Sequence, residues 1–393
     1  MTWSTILARQ SHWNRSTSSE FRLSVADATT LYNEAPLHEL MNAAHLRRMA
    51  MHPEGRVTYL VDRNINYTNT CTINCQFCSF YRPPGHDEEY TQSFTEISER
   101  IRQLEEIGGV RILMQGGVNP SIPFEWYIDL LTHLRQNHPT IDLDCFSPIE
   151  IEGIAEVCGM STLQVLTALK EAGMHGLPGG GAEMLVDDVR QDISPKKGSP
   201  QNWLRVMGEA QSLGLTTSAT NVIGFGESNE QRVEHMNAIR FLQDTSTDEY
   251  NCGFTSFIAW PVQLEHNTFG KRNRGQNKHE LGAGASTYLR HVAIARLFLD
   301  NVEHIQASWP TMGMGVAQMA LLGGADDAGS TMMEENVVSA SGTKKVEATE
   351  RELQDSIVRG GFSPRRRDSD YILLETPSLV PSRDAHVAPP PAA

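Results

Sequence analysis

The sequence predicts an α/β fold: a (β/α)8 barrel of the TIM type, with an N-terminal helical cap and a C-terminal helical extension. Strand-like and helix-like patterns alternate through the middle of the chain, which is typical of a parallel sheet with crossover helices. Eight strand-like segments occupy roughly 280 residues, the length that such a barrel needs. Glycine-rich and polar clusters follow most of these segments, at the end of a parallel barrel that carries functional loops.

The predicted strands are short apolar and β-branched runs bounded by turn-forming residues. They cover residues 57–64, 111–115, 141–146, 174–177, 216–223, 254–259, 305–308 and 327–331. The predicted helices cover 94–107, 123–136, 161–172, 200–213, 229–243, 286–299 and 315–322. In the first helix, Phe94, Ile97, Ile101 and Leu104 recur at helical spacing. The fourth and eighth strands are weakly patterned, so a six-stranded partial barrel remains an alternative.

The chain divides into five predicted segments. They are a disordered N-terminus at 1–23, a helical cap at 24–56, the barrel at 57–340, a helical extension at 341–378 and a disordered tail at 379–393. The tail contains three consecutive prolines and has a composition that builds no core. Within the extension, the basic run at 365–367 is flanked by Asp368 and Asp370, which predicts a solvated or ion-paired segment.

Composition excludes several classes of function. A net charge of −15 argues against a nucleic-acid surface, because phosphate binding needs clustered Lys and Arg. No apolar run approaches the length that spans a membrane. The chain shows no secretory signal, which suggests a reducing compartment. We therefore expect a cytoplasmic protein with neither a nucleic-acid nor a membrane partner.

The most informative feature is a cluster of cysteines: Cys71, Cys75 and Cys78 are separated by three and then by two residues. Three thiolates on one loop can hold three corners of a cubic iron–sulfur cluster and leave the fourth iron open. This spacing resembles the signature of radical S-adenosylmethionine (SAM) enzymes. Structural zinc is the alternative, but it needs four ligands, usually as two pairs. The other cysteines are isolated: Cys145, Cys158 and Cys252. Of these, Cys145 and Cys252 are expected to be core residues.

Other distinctive residues follow the predicted strands, and the carboxyl ends of those strands meet at one rim of a barrel. We expect them to form one site with the cysteines. They are Gln115, Gly116 and Gly117 after the second strand, Ser147 after the third, Glu183 after the fourth, Glu227 after the fifth, His266 after the sixth and Glu334 after the eighth.

Longer motifs extend the resemblance over about residues 35–375. They are 62–69 (DRNINYTN), 80–86 (FYRPPGH), 114–117 (MQGG), 178–183 (PGGGAE), 193–197 (ISPKK) and 334–340 (EENVVSA). Together they resemble the cyclic dehypoxanthinyl futalosine synthases, radical SAM cyclases of the futalosine route to menaquinone. Aminofutalosine synthase and the F0 synthases are sister families that share part of this pattern. The runs 224–227 (GFGE) and 304–309 (HIQASW) favour the cyclase, whereas 262–266 (VQLEH) departs from it.

The resemblance implies a 4Fe–4S cluster on the three cysteines, with SAM on the open iron. It implies that a 5′-deoxyadenosyl radical takes hydrogen from ribose C4′ of dehypoxanthine futalosine, and that the carbon radical closes onto the substrate's own aromatic ring. A flavodoxin or ferredoxin would supply the electron. A structural metal-binding module is the non-enzymatic alternative, and it predicts no SAM binding.

Particular residues take candidate roles under this resemblance. Candidates for binding SAM are Phe77, Gln115, Gly116, Gly117, Ser147 and Glu183. Candidates for accepting the proton are Glu183, Glu227, His266 and Glu334, and candidates for the substrate's benzoate are Arg63, Arg82 and Lys196. Two of these residues have structural alternatives: Phe77 would pack against the rim, and Glu183 would complement a helix dipole.

Overall fold

The computed structural model describes residues 1–345 and 347–377. Its strands form one parallel sheet with the order β10-β1-β9-β8-β7-β6-β5-β4-β3-β2. The strands are β1 Arg56–Leu60, β2 Asp62–Ile65, β3 Arg111–Met114, β4 Asp142–Cys145, β5 Gly176–Leu177, β6 Thr216–Ile223, β7 Phe254–Pro261, β8 His304–Gln306, β9 Asp327–Ser330 and β10 Ser363–Arg366.

The sheet closes into a ring because β1 and β2 are two halves of one extended stretch, interrupted at Val61. β1 pairs with β9, and β2 pairs with β3. The backbone N–H of Asn64 in β2 also donates to the carbonyl of Met332, 3.1 Å away, just beyond β9. The ring therefore has eight strand positions. The predicted barrel is confirmed, and the six-stranded alternative is wrong.

All seven predicted helices are present, and local sequence explains where several helices of the protein begin. Ser24, Ser93, Ser161, Ser228 and Thr349 each form a capping box at a helix N-terminus. The helices are α1 Trp3–Gln10, α2 Val25–Glu34, α3 Leu37–Met51, α4 Phe94–Glu106, α5 Phe124–Asn137, α6 Pro148–Cys158, α7 Thr162–Glu171, α8 Asp187–Ile193, α9 Pro200–Ser212, α10 Asn229–Tyr250, α11 Thr268–Arg272, α12 Ala285–Phe298, α13 Trp309–Met312, α14 Met314–Leu322, α15 Val337–Ala340 and α16 Glu350–Arg359.

The expectation of disorder at 1–23 is wrong. These residues form α1 and a 3-10 helix at Arg15–Phe21. The physical reason is an apolar face that composition does not reveal: Ile6 is fully buried, and the ring of Trp13 lies 4.1 Å from the guanidinium carbon of Arg47. The helical cap then continues as α2 and α3, which pack against α10 and α12 of the barrel.

The C-terminal extension is helical only at α16, because the chain then forms β10 beside β1 and crosses the lower mouth of the barrel. We call residues 367–374 the floor segment. Within it, Ser369 Oγ donates to Asp144 Oδ2 at 3.0 Å, and the Tyr371 ring stacks on His304 with centroids 3.7 Å apart. The predicted tail at 379–393 lies outside the described residues. None of the described helices has the length and apolar character needed to cross a bilayer.

Candidate functional site

The three clustered cysteines lie on a tight loop above β2, at the carboxyl end of the barrel. We call residues 71–78 the cysteine loop. Four backbone hydrogen bonds hold it, and each comes from a different loop of the rim. They run from Cys71 N to Arg82 O (2.8 Å), from Thr72 N to Val118 O (3.1 Å), from Gln76 N to Ile193 O (2.9 Å) and from Phe269 N to Gln76 O (2.8 Å). The loop geometry is therefore set by the whole rim.

The thiols of this loop are poor thiolates on their own. Burial raises the pKa of Cys75, and burial together with the negative charges of Cys75 and Cys71 raises that of Cys78 to about 11. Thiols that oppose one another's ionisation become thiolates when a cationic centre binds them. Such a donor set fits an iron–sulfur cluster.

Within the described residues, the sulfurs of Cys71, Cys75 and Cys78 do not all lie within 4.8 Å of one another. Thiolates that share one tetrahedral zinc lie about 3.8 Å apart, given Zn–S bonds of about 2.3 Å. Within the described residues, the one group of three metal-binding side chains with all ligand atoms inside 4.8 Å is His52, His304 and Asp326 at the barrel floor. That group excludes the cysteines, and its carboxylate is already paired with Arg296.

Glu183 lies behind the cysteine loop with one oxygen unsatisfied. Lys197 Nζ donates to Glu183 Oε1 at 2.6 Å, and the nearest nitrogen of Arg190 is 4.0 Å from Oε2. Oε2 is buried and accepts no hydrogen bond from the described residues. The helix-dipole alternative for Glu183 is wrong, because α8 begins only at Asp187. A ligand ammonium or hydroxyl would satisfy this oxygen.

Gly116 and Gly117 allow the cysteine loop to approach β3. A Cβ at Gly117 would lie 2.2 Å from the carbonyl oxygen of Thr70, and one at Gly116 would lie 2.8 Å from the Tyr67 ring. Their N–H groups are used within the protein: Gly116 donates to Glu150 Oε1 at 2.9 Å, and Gly117 to the carbonyl of Thr68 at 3.0 Å. Both glycines therefore shape the loop that holds the cysteines.

Glu150 is a site residue that sequence reasoning missed. Besides Gly116, it accepts hydrogen bonds from Ser147 Oγ (2.6 Å) and Tyr67 Oη (2.9 Å). Burial raises its pKa to about 7, against the lowering effect of these donors. A signal was present, since Ser147 and Glu150 have the spacing of a capping box. Ser147 bonds to this carboxylate and makes no side-chain cap to α6.

Ion pairs hold three of the four predicted proton acceptors: Glu183, Glu227 and Glu334. Glu227 accepts from Arg232 Nε at 2.6 Å and from the N–H groups of Gly224 and Phe225, with its side chain fully buried. Both of its oxygens are thereby occupied in shaping the turn after β6.

Glu334 is paired with Arg63, 2.8 Å away, and with Arg100. Burial raises the pKa of Glu334, but hydrogen bonds from Asn336 and Arg63 and the charge of Arg100 outweigh it, so its pKa lies below the ordinary value. These ion pairs and hydrogen bonds make Glu334 a weak base.

His266 is exposed, in the loop between β7 and α11.

Phe77 packs against protein side chains. Its ring centroid lies 5.3 Å from that of Phe225, which in turn lies 5.3 Å from that of Phe269. Phe77 therefore makes the packing contacts that the structural alternative predicts, against a small hydrophobic cluster.

The three candidates for the benzoate already have protein partners. Arg63 holds Glu334, as described above. Arg82 Nε binds Glu88 at 2.7 Å while its NH1 group donates to carbonyls 79–81. Lys196 Nζ donates to the carbonyl of Thr72 at 2.9 Å. Each of these cations therefore stabilises the cysteine loop or the turn after β9.

A cavity of about 240 Å³ fills the barrel lumen. Its floor is charged and closed by Arg111, Asp144 and Arg367. The upper half is lined by amide, hydroxyl and aromatic groups together with apolar side chains; the former include Asn66, Gln115, Trp260, Ser308 and Trp309. This lining suits a molecule that carries both hydroxyl groups and an aromatic ring.

Glu335 also lines the cavity, and the sequence did not single it out. It is 6% exposed and accepts the N–H groups of Val337, Val338 and Ser339 at 2.9, 3.0 and 2.9 Å. Burial raises its pKa, although these three N–H groups favour its charged form. It is therefore a buried carboxylate with raised basicity at the upper end of the lumen.

Two family models match different parts of this chain. A family model for the radical SAM superfamily matches residues 65–239, and one for the CofH/MqnC C-terminal region matches residues 251–380. The chain is 41% identical to a cyclic dehypoxanthine futalosine synthase of Halalkalibacterium halodurans, over 90% of this chain and 92% of that protein. It is 37% identical to a protein of the same name from Streptomyces coelicolor, over 89% and 85% of the two chains.

An aminodeoxyfutalosine synthase of Thermus thermophilus is 35% identical over 89% of this chain and 92% of that protein. Among solved structures, the [FeFe]-hydrogenase maturase HydG superposes with a TM-score of 0.70 at 13% identity, over 93% of this chain and 77% of that chain. Methylornithine synthase (PylB) superposes with a TM-score of 0.67 at 17% identity, over 89% and 96%. The two structures support the barrel fold.

Proposed function

The chain belongs to the cyclic dehypoxanthine futalosine synthase family of radical SAM enzymes, and on this basis we propose that it cyclises dehypoxanthine futalosine. The reaction joins ribose C4′ to the substrate's aromatic ring. When bound, a 4Fe–4S cluster and SAM supply the 5′-deoxyadenosyl radical that removes the C4′ hydrogen. The single observation that carries the proposal is the cysteine loop, held by the rim at the carboxyl end of the barrel, the end at which amide, hydroxyl and aromatic groups line the lumen.

Different residues in and around the cysteine loop would bind the cluster and SAM. Cys71, Cys75 and Cys78 would hold three irons. Gly117 allows the loop to lie against the end of β3. The free oxygen of Glu183 would accept a hydrogen bond from the SAM ammonium, which supplies the partner that this buried atom lacks.

The lumen would orient the substrate and exclude water. Ring closure is intramolecular, so holding the ribose against the aromatic ring provides most of the protein's contribution. The floor segment seals the lower mouth, and amide and hydroxyl groups of the upper lining would bind the ribose hydroxyls. Glu335 is the carboxylate of the upper lining, and we assign to it the proton that the ring loses after closure. The electron lost with that proton would return to the oxidised cluster.

The enzyme would take its electron from a flavodoxin or ferredoxin and work in the cytoplasm on a small-molecule substrate. The acidic net charge of −15 supports the absence of a nucleic-acid partner.

One assay tests the proposal. Anaerobically reconstituted, reduced enzyme is incubated with SAM and dehypoxanthine futalosine, and products are separated by mass. We expect a product two hydrogens lighter than the substrate, with deuterium from C4′-labelled substrate recovered in 5′-deoxyadenosine. Turnover of the precursor of aminofutalosine would instead show that the protein has the activity of the sister family, aminofutalosine synthase. Cys75→Ser serves as the inactive control.

Glu335→Gln tests the assignment of the proton acceptor separately. We expect cyclised product to form at least about 100-fold more slowly, because general bases contribute that much. Release of 5′-deoxyadenosine should continue, because hydrogen abstraction precedes the loss of the proton. An unchanged rate of cyclisation would remove Glu335 from the mechanism.

A further inference from the structure

The run 193–197 contacts the cysteine loop, and the proposed function gives this run no role. The carbonyl of Ile193 accepts the N–H of Gln76, and Lys196 Nζ donates to the carbonyl of Thr72. Ser194 is 1% exposed at the end of α8. The run thus contacts the loop at residues on either side of Cys75. Its last member, Lys197, lies beside the ring of Phe77.

Lys197 is a buried ammonium beside the metal-binding thiols. Its side chain is 7% exposed, and Nζ lies 2.6 Å from Glu183 Oε1 and 5.4 Å from the centroid of the Phe77 ring. Burial lowers the pKa of Lys197, but the charges of Cys75 and Glu183 outweigh it and raise the pKa above the ordinary value. The amine therefore stays protonated in a site from which water is largely excluded.

The ammonium of Lys197 lies next to the cysteine loop. Besides Glu183 Oε1, it approaches the ring of Phe77, a residue that directly precedes Cys78 and lies two positions after Cys75. A charge in a low-dielectric site acts strongly on any neighbour whose charge changes.

We propose that Lys197 is a positioning residue that sets the reduction potential of the cluster on Cys71, Cys75 and Cys78. The inference rests on the proposed function only for the presence of that cluster. Reduction transfers one electron from a chemical or protein reductant to the cluster, which gains one negative charge. The ammonium of Lys197 stabilises this added charge, and hydrogen bonding and charge near a cluster are known means of tuning its potential.

Lys197→Met tests the inference. Lys196→Met is the matched control, because Lys196 is the exposed neighbour of Lys197 and its Nζ bonds the backbone carbonyl of Thr72. The midpoint potential is measured in reconstituted holoenzyme, without SAM or substrate, by redox titration followed by EPR. We expect Lys197→Met to lower the ratio of reduced to oxidised cluster at least tenfold at fixed potential, which is 59 mV for a one-electron couple. Lys197→Arg and Lys196→Met should each stay within about threefold of the wild type.

An unchanged midpoint in Lys197→Met, or an equal fall in Lys196→Met, would overturn the inference. If Lys197→Met holds no cluster, Glu183→Gln decides: removing the carboxylate should raise the ratio of reduced to oxidised cluster, and an unchanged or lowered ratio would refute the role of Lys197. These measurements need no turnover. A midpoint that responds as expected in an enzyme that does not cyclise the substrate would refute the proposed function and leave this inference standing.

Discussion

Arg367 differs sharply from its neighbours in the basic run 365–367, and this difference can be measured. Its Nε lies 2.6 Å from Asp327 Oδ2, with the two side chains 3% and 0% exposed. Its guanidinium carbon lies 3.8 Å from the centroid of the Tyr371 ring. Arg365 is exposed, and within the described part of the chain its guanidinium bonds the carbonyl of Pro364. Substituting each arginine by methionine therefore compares a buried with an exposed charge in one short segment.

The structure gives the size of the expected effect. Removing one partner of a buried ion pair costs about 3–5 kcal/mol, because the other charge stays buried without its partner. Asp327 keeps hydrogen bonds from Thr58 Oγ1 (2.7 Å) and from the N–H of Gly329 (2.8 Å), which offset part of this cost. Loss of the cation–π contact adds about 1 kcal/mol. We expect Arg367→Met to lower the free energy of unfolding by about 3–4 kcal/mol.

The assay is urea unfolding of the metal-free protein followed by tryptophan fluorescence, since Trp203 and Trp309 are fully buried. Arg365→Met should change the free energy of unfolding by less than about 0.5 kcal/mol. Adding Asp327→Asn to Arg367→Met should restore at least half of the loss, because it removes the buried charge. The reasoning is refuted if Arg367→Met costs less than about 1 kcal/mol, the range of an exposed pair.

Three further predictions concern the loop, the buried carboxylate and the floor. Gly117→Ala should lower iron incorporation severalfold, because the new Cβ would lie 2.2 Å from a carbonyl oxygen, whereas Gly315→Ala meets nothing within 4 Å and should reconstitute normally. Glu150→Gln should flatten the pH dependence of stability: the wild type loses up to about 3 kcal/mol relative to the variant as pH rises from 5 to 8, because the carboxyl's pKa is raised to about 7 and its protonated form is favoured by folding. Asp370 raises the pKa of His175 to about 9, so this pair stabilises the fold below pH 6.5 and loses that effect as pH rises through 9. His175→Asn should therefore cost about 1 kcal/mol at pH 6, after allowance for solvent screening, and nothing at pH 10, as urea midpoints will show.

Periodicity and capping residues predict most of the fold because both act within one helix or strand. The capping box at Ser93 and the spacing of Ile97, Ile101 and Leu104 define α4 without reference to any distant residue. The N-terminus escapes such reasoning. The burial of Ile6 in α1 depends on a surface that the rest of the chain must first build.

The candidate site divides in the same way. The cysteine spacing is local, so sequence alone indicates a cluster loop. The sequence suggests Gly117 as a residue that binds SAM. In the structure, its missing side chain makes room for the cysteine loop. The partners of Glu334 and Lys197 are set by tertiary contacts. Charge and residue type predict that a partner exists, and only the fold determines which one.

The pairing of β1 with β10 also constrains when the protein can finish folding. β1 leaves the ribosome early, whereas β10 and the floor segment are almost the last described residues to be made. Until they emerge, the lower edge of the ring has unpaired backbone groups, and Asp327 and Asp144 lack Arg367 and Ser369. Pairings between such distant segments form late, and open strand edges promote aggregation. The barrel is therefore completed only after β10 has left the ribosome, and a ribosome that stalls before β10 would release a chain whose lumen is open at the bottom.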